Sequence, residues 1–218
     1  MKRHSVNTNL TLVYQATYLN LPIQLNKGPF ALEYLNKLFE VMMAALNEYP
    51  RVFAFRVDLR FPAWFDAMDY QSKNEVMTRF IRSFKAKIGH NRCMAKRLNP
   101  HAHESTVRDV WAREQDQSSN PHYHVVFLLN QDAFCTIGKY ELDRDNIFNR
   151  LCEAWASALG LPVEAVSGLV EIPSNPCYYL HRDKPESLAE FFYRASYLCK
   201  AATKVFGDGT HGFGCSRG

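Results

Sequence analysis

The chain has 218 residues, of which 47% are hydrophobic and 22% charged, with 10 Gly and 10 Pro. That globular mix excludes a collagen-like, coiled-coil or disordered chain, and the length suits one domain able to bury a core without disulfide staples. The net charge of +4 fits a nucleic-acid partner without selecting one. Apolar runs such as 41–46 and 125–129 fall far short of the roughly 20 residues that a membrane span needs. The start MKRHSVNTNLTL lacks the apolar stretch of a signal peptide. The six cysteines form no C-x-x-C pair, so they read as reduced thiols of a cytoplasmic protein, not a zinc or disulfide framework.

Residues 1–28 are polar and irregular, with a short strand expected within 10–18. Gly28-Pro29 opens a helix whose stripe is Leu32, Leu35, Phe39, Met42 and Leu46, and Pro50 closes it. RVFAFRVDLRFP (51–62) alternates as a strand: Phe53, Phe55, Val57, Leu59 and Phe61 take one face, and Arg56, Asp58 and Arg60 the other. The charged face could be merely solvated. Ser72 and Glu75 form a capping-box pattern ahead of a second helix, with Val76, Phe80, Ile81, Phe84 and Ile88 as its stripe and Gly89 as its stop. Its polar side carries Lys73, Arg79, Arg82, Lys85 and Lys87, and Arg92, Lys96 and Arg97 follow in an expected loop. These side chains are either a plain solvated face or a phosphate-contacting surface.

A strand over 107–114, a turn over 115–121 and the nearly all-apolar strand HYHVVFLLN (122–130) come next. The last of these reads as central and buried on both faces. A helix over 144–159 ends at Gly160, and GLVEIP (168–173) is a short strand. Ser187 and Glu190 form a second capping-box pattern, opening a last helix that is expected to run to about residue 204. From residue 51 the order is β-α-β-β-α-β and then a helix. This is the order of a ferredoxin-like α+β fold, in which the first and third strands lie side by side. The expected organisation is one domain over 1–218, with 1–50 as an N-terminal embellishment and 51–218 as the core.

His122 and His124 flank Tyr123. Residues i and i+2 of a strand point the same way, so both imidazoles converge on one face and could ligate one divalent cation. The alternative is a hydrogen-bonded histidine pair at a strand end. Glu114 or Asp58 could supply a carboxylate, giving a set suited to Mg²⁺ or Mn²⁺ when the substrate adds oxygens. His101 and His103 form a second H-x-H pair, read as surface residues.

In the last helix Leu188, Phe191, Phe192, Ala195, Cys199 and Ala202 cluster on one side, while Tyr193, Tyr197, Lys200 and Lys204 fall opposite. The tyrosines could simply be solvated. They could also be nucleophiles, because neighbouring ammonium groups favour phenolate and a metal on a phosphate makes phosphorus more electrophilic.

His122-Tyr123-His124 resembles the His-hydrophobic-His motif of HUH endonucleases, and Tyr197-Leu198-Cys199-Lys200 their Tyr-x-x-Lys motif. More closely, RVDLRFP, PHYHVVFLLN, FFYRASYLCKAATK and FGDGTHGFGCSRG resemble the inovirus gene-two-type replication proteins, the YagK/YfjJ family of phages and prophages. The resemblance implies an HUH fold and a rolling-circle replication initiator that nicks and rejoins origin DNA through a 5′-phosphotyrosine. His122, His124 and Glu114 would hold the divalent metal, Tyr197 would be the nucleophile, and Lys200 would position the phosphate. Tyr193 would be a second nucleophile or a stacking residue. Arg56, Arg60, Arg194 and Lys204 would contact DNA. Expected partners are single-stranded or extruded origin DNA, with a host helicase and polymerase, since no G-x-x-x-x-G-K-[ST] is present; the setting is the bacterial cytoplasm. The competing readings are a non-catalytic DNA-binding prophage regulator and an HUH transposase or mobilisation nuclease.

Overall fold

The structure is a computed structural model that describes residues 2–64, 75–115, 120–202, 204 and 211–217. The polar start forms short strands β1 (Lys2–Arg3), β2 (Thr11–Val13), β3 (Thr17–Tyr18), β4 (Leu21–Pro22) and β5 (Phe30–Ala31), followed by helix α1 (Leu32–Glu48). The remainder is β6 (Arg51–Arg60), α2 (Glu75–Leu98), β7 (Arg108–Glu114), β8 (His122–Asn130), α3 (Ile147–Leu159), β9 (Val170–Glu171), β10 (Cys177–His181), α4 (Pro185–Ala195), a 3-10 turn (Ser196–Cys199) and β11 (Phe213–Cys215). This is an α+β chain built on one large sheet.

The sheet runs β10-β6-β8-β7-β11, with β9 also paired to β6, and every pairing is antiparallel. The expected adjacency of the first and third core strands is therefore present, with Phe55 opposite Phe127 and Asp58 opposite His124. The expected strand at 168–173 is the two-residue β9, paired with Asp58 and Leu59, and a further strand that was not expected, β10, pairs with residues 51–55 of β6.

Alternation decides which side of the sheet each residue serves. Phe53, Phe55, Val57 and Leu59 of β6 join Tyr123, Val125, Phe127 and Leu129 of β8 against α2 and α3. Val52 and Ala54 join Val126, Leu128, Val110 and Ala112 against α1 and α4. Helices thus cover both faces, and all nine residues of β8 are buried. Most of the charged side of β6 is not solvated: Arg56 and Asp58 are each only 7% exposed, while Arg60 at the strand end is exposed.

Two helix boundaries differ from expectation, and a third falls on residues that are not described. Ser72 lies outside the described residues, as do Lys73 and residues 116–119 of the expected turn. Gly89 does not stop α2, which continues to Leu98 and takes Arg92, Lys96 and Arg97 into helix. A mid-helix glycine costs only about 1 kcal/mol. Here that cost is opposed by tertiary contacts of the continued turns, with Arg92 over the Phe134 ring and Lys96 paired to Glu104. The Ser187/Glu190 box does not form. Pro185 occupies the first turn of α4, and Ser187 Oγ donates to the Lys184 carbonyl while accepting from the His181 N–H. Proline's fixed φ suits a helix start without a side-chain cap. By contrast, α3 ends as expected, at Gly160 in the left-handed conformation.

The six cysteines are free thiols, and Cys152 and Cys199 are buried. Among the described residues no helix is long and apolar enough to cross a membrane.

Trp155 anchors the face under α2 and α3. It is fully buried, its ring meets those of Phe61, Phe80 and Tyr123, and its Nε1 donates to the Arg60 carbonyl at 2.9 Å. Trp155→Ala should cost about 3–5 kcal/mol, read from urea unfolding. At the sheet edge Gly214 lies opposite Trp111, and a Cβ there would sit 2.5 Å from the indole. Gly214→Ala should therefore lower stability by about 1–3 kcal/mol through overpacking, visible as a lower urea midpoint.

Candidate functional site

On the sheet face shared with α1 and α4, three neighbouring strands change character at the same end. β6 passes from Val52 and Ala54 to Arg56 and Asp58, β8 from Leu128 and Val126 to His124 and His122, and β7 from Val110 and Ala112 to Glu114. The register sets Asp58 and Ala112 opposite His124, and Glu114 opposite His122. Backbone pairing therefore delivers two imidazoles and two carboxylates to one buried patch.

A fourth segment closes over it. α4 ends at Ala195 and tightens into the 3-10 turn, so Tyr197 leaves the straight line through Tyr193 that a continuous α-helix would make. Ser196 Oγ donates to the Tyr193 carbonyl and accepts from the Gln24 N–H, while Gln24 Nε2 donates to the Tyr193 and Arg194 carbonyls. Beyond the turn the Ala201 N–H donates to the Pro29 carbonyl, and Phe30 bridges to Lys200. The N-terminal segment thus holds the turn that presents Tyr197.

The contacts within the patch are dense. Lys200 Nζ donates to Tyr197 Oη at 2.7 Å and lies 2.9 Å from Glu114 Oε2. His124 meets the Tyr197 ring edge-on at 5.3 Å, and Arg56 sits 4.9 Å from the centre of that ring. Arg56 also forms a fork onto Asp58, through Nε to Oδ1 at 2.8 Å and through its terminal nitrogen to Oδ2 at 2.9 Å. Asp58 Oδ1 lies 2.8 Å from His124 Nδ1. Glu114 Oε2 lies 3.4 Å from His124 Nε2 and 4.0 Å from His122 Nε2. Lys204, whose side chain is fully buried, reaches within 3.9 Å of Glu114 Oε1.

Burial alone would raise both carboxyls, but their partners prevail. Hydrogen bonding to His124 and Arg56 brings Asp58 to about 2. The His124 contact and the Lys204 and Lys200 ammonium groups bring Glu114 to about 2. Burial pulls Lys204 down to about 8 against the attraction of Glu114. Lys200 is also opposed by burial, yet its bonds to Tyr197 and Glu114 raise it.

Glu114, His122 and His124 are all buried, and each offers a ligand atom within 4.8 Å of the other two. Among the described residues His124 Nε2 is left without a hydrogen bond, and the Glu114 oxygens are met by the Lys200 and Lys204 ammonium groups, at 2.9 Å and 3.9 Å. A buried polar atom left without a hydrogen bond needs a partner, and two imidazoles with a carboxylate suit a divalent cation. The group therefore fits a metal. Of the two carboxylates considered, Glu114 belongs to it, while Asp58 is engaged with Arg56 and the far nitrogen of His124.

The other candidate residues lie elsewhere or serve differently. Tyr193 is 44% exposed, and among the described residues no hydrogen bond, ion pair or ring contact joins its side chain to the cluster. Arg60 is exposed and paired with Glu171 at 3.1 Å. Arg194 is half-buried and donates to the Ser174 carbonyl. Arg56 and Lys204, expected on a DNA-facing surface, are buried within the cluster. The basic side of α2 is largely neutralised: Arg79 pairs with Glu75, Lys85 with Asp109, Lys87 with Glu153 and Lys96 with Glu104. His101 and His103 are exposed, as expected. Gln24 was not a candidate, and no local signal marks it, because its partners lie about 170 residues away.

A carboxyl held below its ordinary range contributes stability that is complete above that range and is lost as pH falls toward the folded value. In metal-free protein kept in EDTA, the urea midpoint should therefore drop as pH falls from about 5 to about 2, the direction set by Asp58 and Glu114. The drop should be shallower in Glu114→Gln.

Comparison with known proteins now bears on this arrangement. The chain is 33% identical over 195 residues to the uncharacterized protein YfjJ of Escherichia coli K12, covering 85% of this chain and 94% of that one. It is 34% identical over 198 residues to the uncharacterized protein YagK of the same strain, covering 87% and 95% respectively. No solved structure matches. Residues 15–216 match the YagK/YfjJ C-terminal domain, a span that includes every residue of the cluster, and the chain belongs to that family.

Proposed function

We propose that this chain is a metal-dependent DNA-nicking and -joining enzyme of the HUH kind, acting at a replication origin. The observation that carries the reading is the Lys200 contact. One ammonium group touches both the Tyr197 hydroxyl, at 2.7 Å, and the Glu114 carboxylate of the ligand set, at 2.9 Å. A tyrosine, a lysine and a three-ligand group from separate parts of the chain meet within one buried patch. The strand order β10-β6-β8-β7 with α2 and α3 on one face fits a ferredoxin-like sheet extended by β11, and supports the HUH reading of the fold.

In this mechanism Tyr197 Oη attacks the scissile phosphorus. The new O–P bond forms as the bond to the 3′ oxygen breaks; the phenol loses its proton and the departing oxygen gains one. The 5′ end stays on the protein as a phosphotyrosine, and a free 3′-OH is left to prime a host polymerase. Reversal rejoins the strand without ATP, because the phosphotyrosine conserves the energy of the cleaved bond. Lys200 stabilises negative charge that develops on Oη. Glu114, His122 and His124 would hold Mg²⁺ or Mn²⁺, which when bound polarises the phosphate. With the Tyr193 side chain outside the cluster, a single nucleophile is the simpler form. The setting is a bacterial cytoplasm, with strand separation left to a host helicase.

A second reading, a DNA-binding module that uses no metal, rests on Lys200 and Lys204, whose ammonium groups already neutralise Glu114. One experiment separates the two. Single-stranded oligonucleotides tiled across the DNA flanking the gene are incubated with protein and Mn²⁺, then run on a denaturing gel. A covalent adduct is expected for the parent and for Tyr193→Phe. It should be absent with EDTA, in His124→Ala and in Tyr197→Phe. An undiminished adduct in Tyr197→Phe refutes the assignment, and tight binding without any adduct favours the metal-free module.

A further inference from the structure

Asp58 has an unusual place in the cluster. It lies directly opposite His124 in the antiparallel β6–β8 pair, on the same sheet face, so the backbone register itself brings them together. It is buried, yet its carboxylate meets the imidazole nitrogen that points away from Glu114.

That nitrogen, His124 Nδ1, has two neighbours with opposite demands. Asp58 Oδ1, at 2.8 Å, can only accept and so requires Nδ1 to carry a proton. The Arg56 terminal nitrogen, at 2.9 Å, can only donate and so requires Nδ1 to be bare. A neutral imidazole satisfies one of them. With Nδ1 protonated, Nε2 presents a lone pair toward Glu114 and His122; with Nδ1 bare, Nε2 carries a hydrogen and cannot ligate. Asp58 has the stronger claim. A bare nitrogen 2.8 Å from a carboxylate would set two lone pairs against each other, whereas a protonated one makes a charge-assisted hydrogen bond. Arg56 is already satisfied by its fork onto the same carboxylate. His124 Nε2, on the other side of the ring, lies 3.4 Å from Glu114 Oε2.

We infer that Asp58 is a positioning residue: it fixes His124 in the tautomer that leaves Nε2 free for a divalent cation, and Arg56 holds Asp58 in place for that task. A carboxylate behind a ligating imidazole sets both its orientation and its basicity. Arg56 also rests against the Tyr197 ring, so one guanidinium ties the ligand's support to the tyrosine. The inference rests on the reading of Glu114, His122 and His124 as a ligand set.

Two measurements test it. In the metal-free parent, long-range ¹H–¹⁵N spectra of the imidazoles, assigned with His124→Ala, should show His124 protonated at Nδ1. Free Mn²⁺ followed by electron paramagnetic resonance should then show Asp58→Asn binding about 10–100-fold more weakly than the parent, while circular dichroism shows the fold retained. In that variant Arg56 is left to donate to Nδ1, and the spectra should move toward the Nε2-protonated form. His124 protonated at Nε2 in the parent overturns the inference without any variant. So does Mn²⁺ affinity in folded Asp58→Asn within twofold of the parent. A parent that takes up no Mn²⁺ fails differently: it overturns the ligand set itself.

Discussion

The Glu114 carboxylate is the charge around which the structure is organised. It is fully buried, and an unpaired carboxylate there would cost several kcal/mol. Its partners come from widely separated parts of the chain: His122 and His124 on β8, and Lys200 and Lys204 beyond the 3-10 turn. Meeting that electrostatic demand brings a sheet end and a C-terminal segment into one place. Across the patch three cations (Arg56, Lys200 and Lys204) face two anions (Asp58 and Glu114). With neutral histidines the balance is positive, which suits a phosphate-bearing ligand.

The sheet supports this by treating its two sides differently. Under α2 and α3 the side is apolar along β6 and β8, where rings from β6, β8, α2 and α3 interlock, and β7 adds Asp109, which pairs with Lys85 of α2. Under α1 and α4 it is apolar at one end only, and the change to ionisable residues falls at matching positions of three paired strands. The apolar end supplies the burial that keeps the strands in register, and the register aligns the polar end. A one-residue slip of β8 would turn both histidines to the other side. The site and the core are therefore one design and share the same hydrogen-bond ladder.

The N-terminal 50 residues do more than decorate this sheet. α1 covers the apolar part of the face, and the segment before it reaches across to the tyrosine turn through Gln24, Pro29 and Phe30. The backbone groups freed where α4 tightens are taken up by Gln24, so the turn that lowers Tyr197 onto His124 is specified by residues at the far end of the chain.

Much of this was legible in the sequence, and the reason is periodicity. A strand's period of two places Arg56 and Asp58 on one side and His122 with His124 on one side whatever the chain does elsewhere. The nearly all-apolar run of 122–130 points to a central strand, and the stripe of Val76, Phe80, Phe84 and Ile88 to a helix against it. The rest depended on contacts that no local pattern encodes. Glu114 rather than Asp58 reaches both imidazoles because of the strand register, which sets Glu114 opposite His122. Tyr197 and Tyr193 part company because the helix tightens between them, at a turn held by Gln24 about 170 residues away. Arg56 and Lys204 look like surface cations in a string of letters and are buried in the fold, since only tertiary structure brings each its acid. Local backbone geometry determines which residues share a face; which faces meet, and which charges they must neutralise, is decided only when distant segments pack.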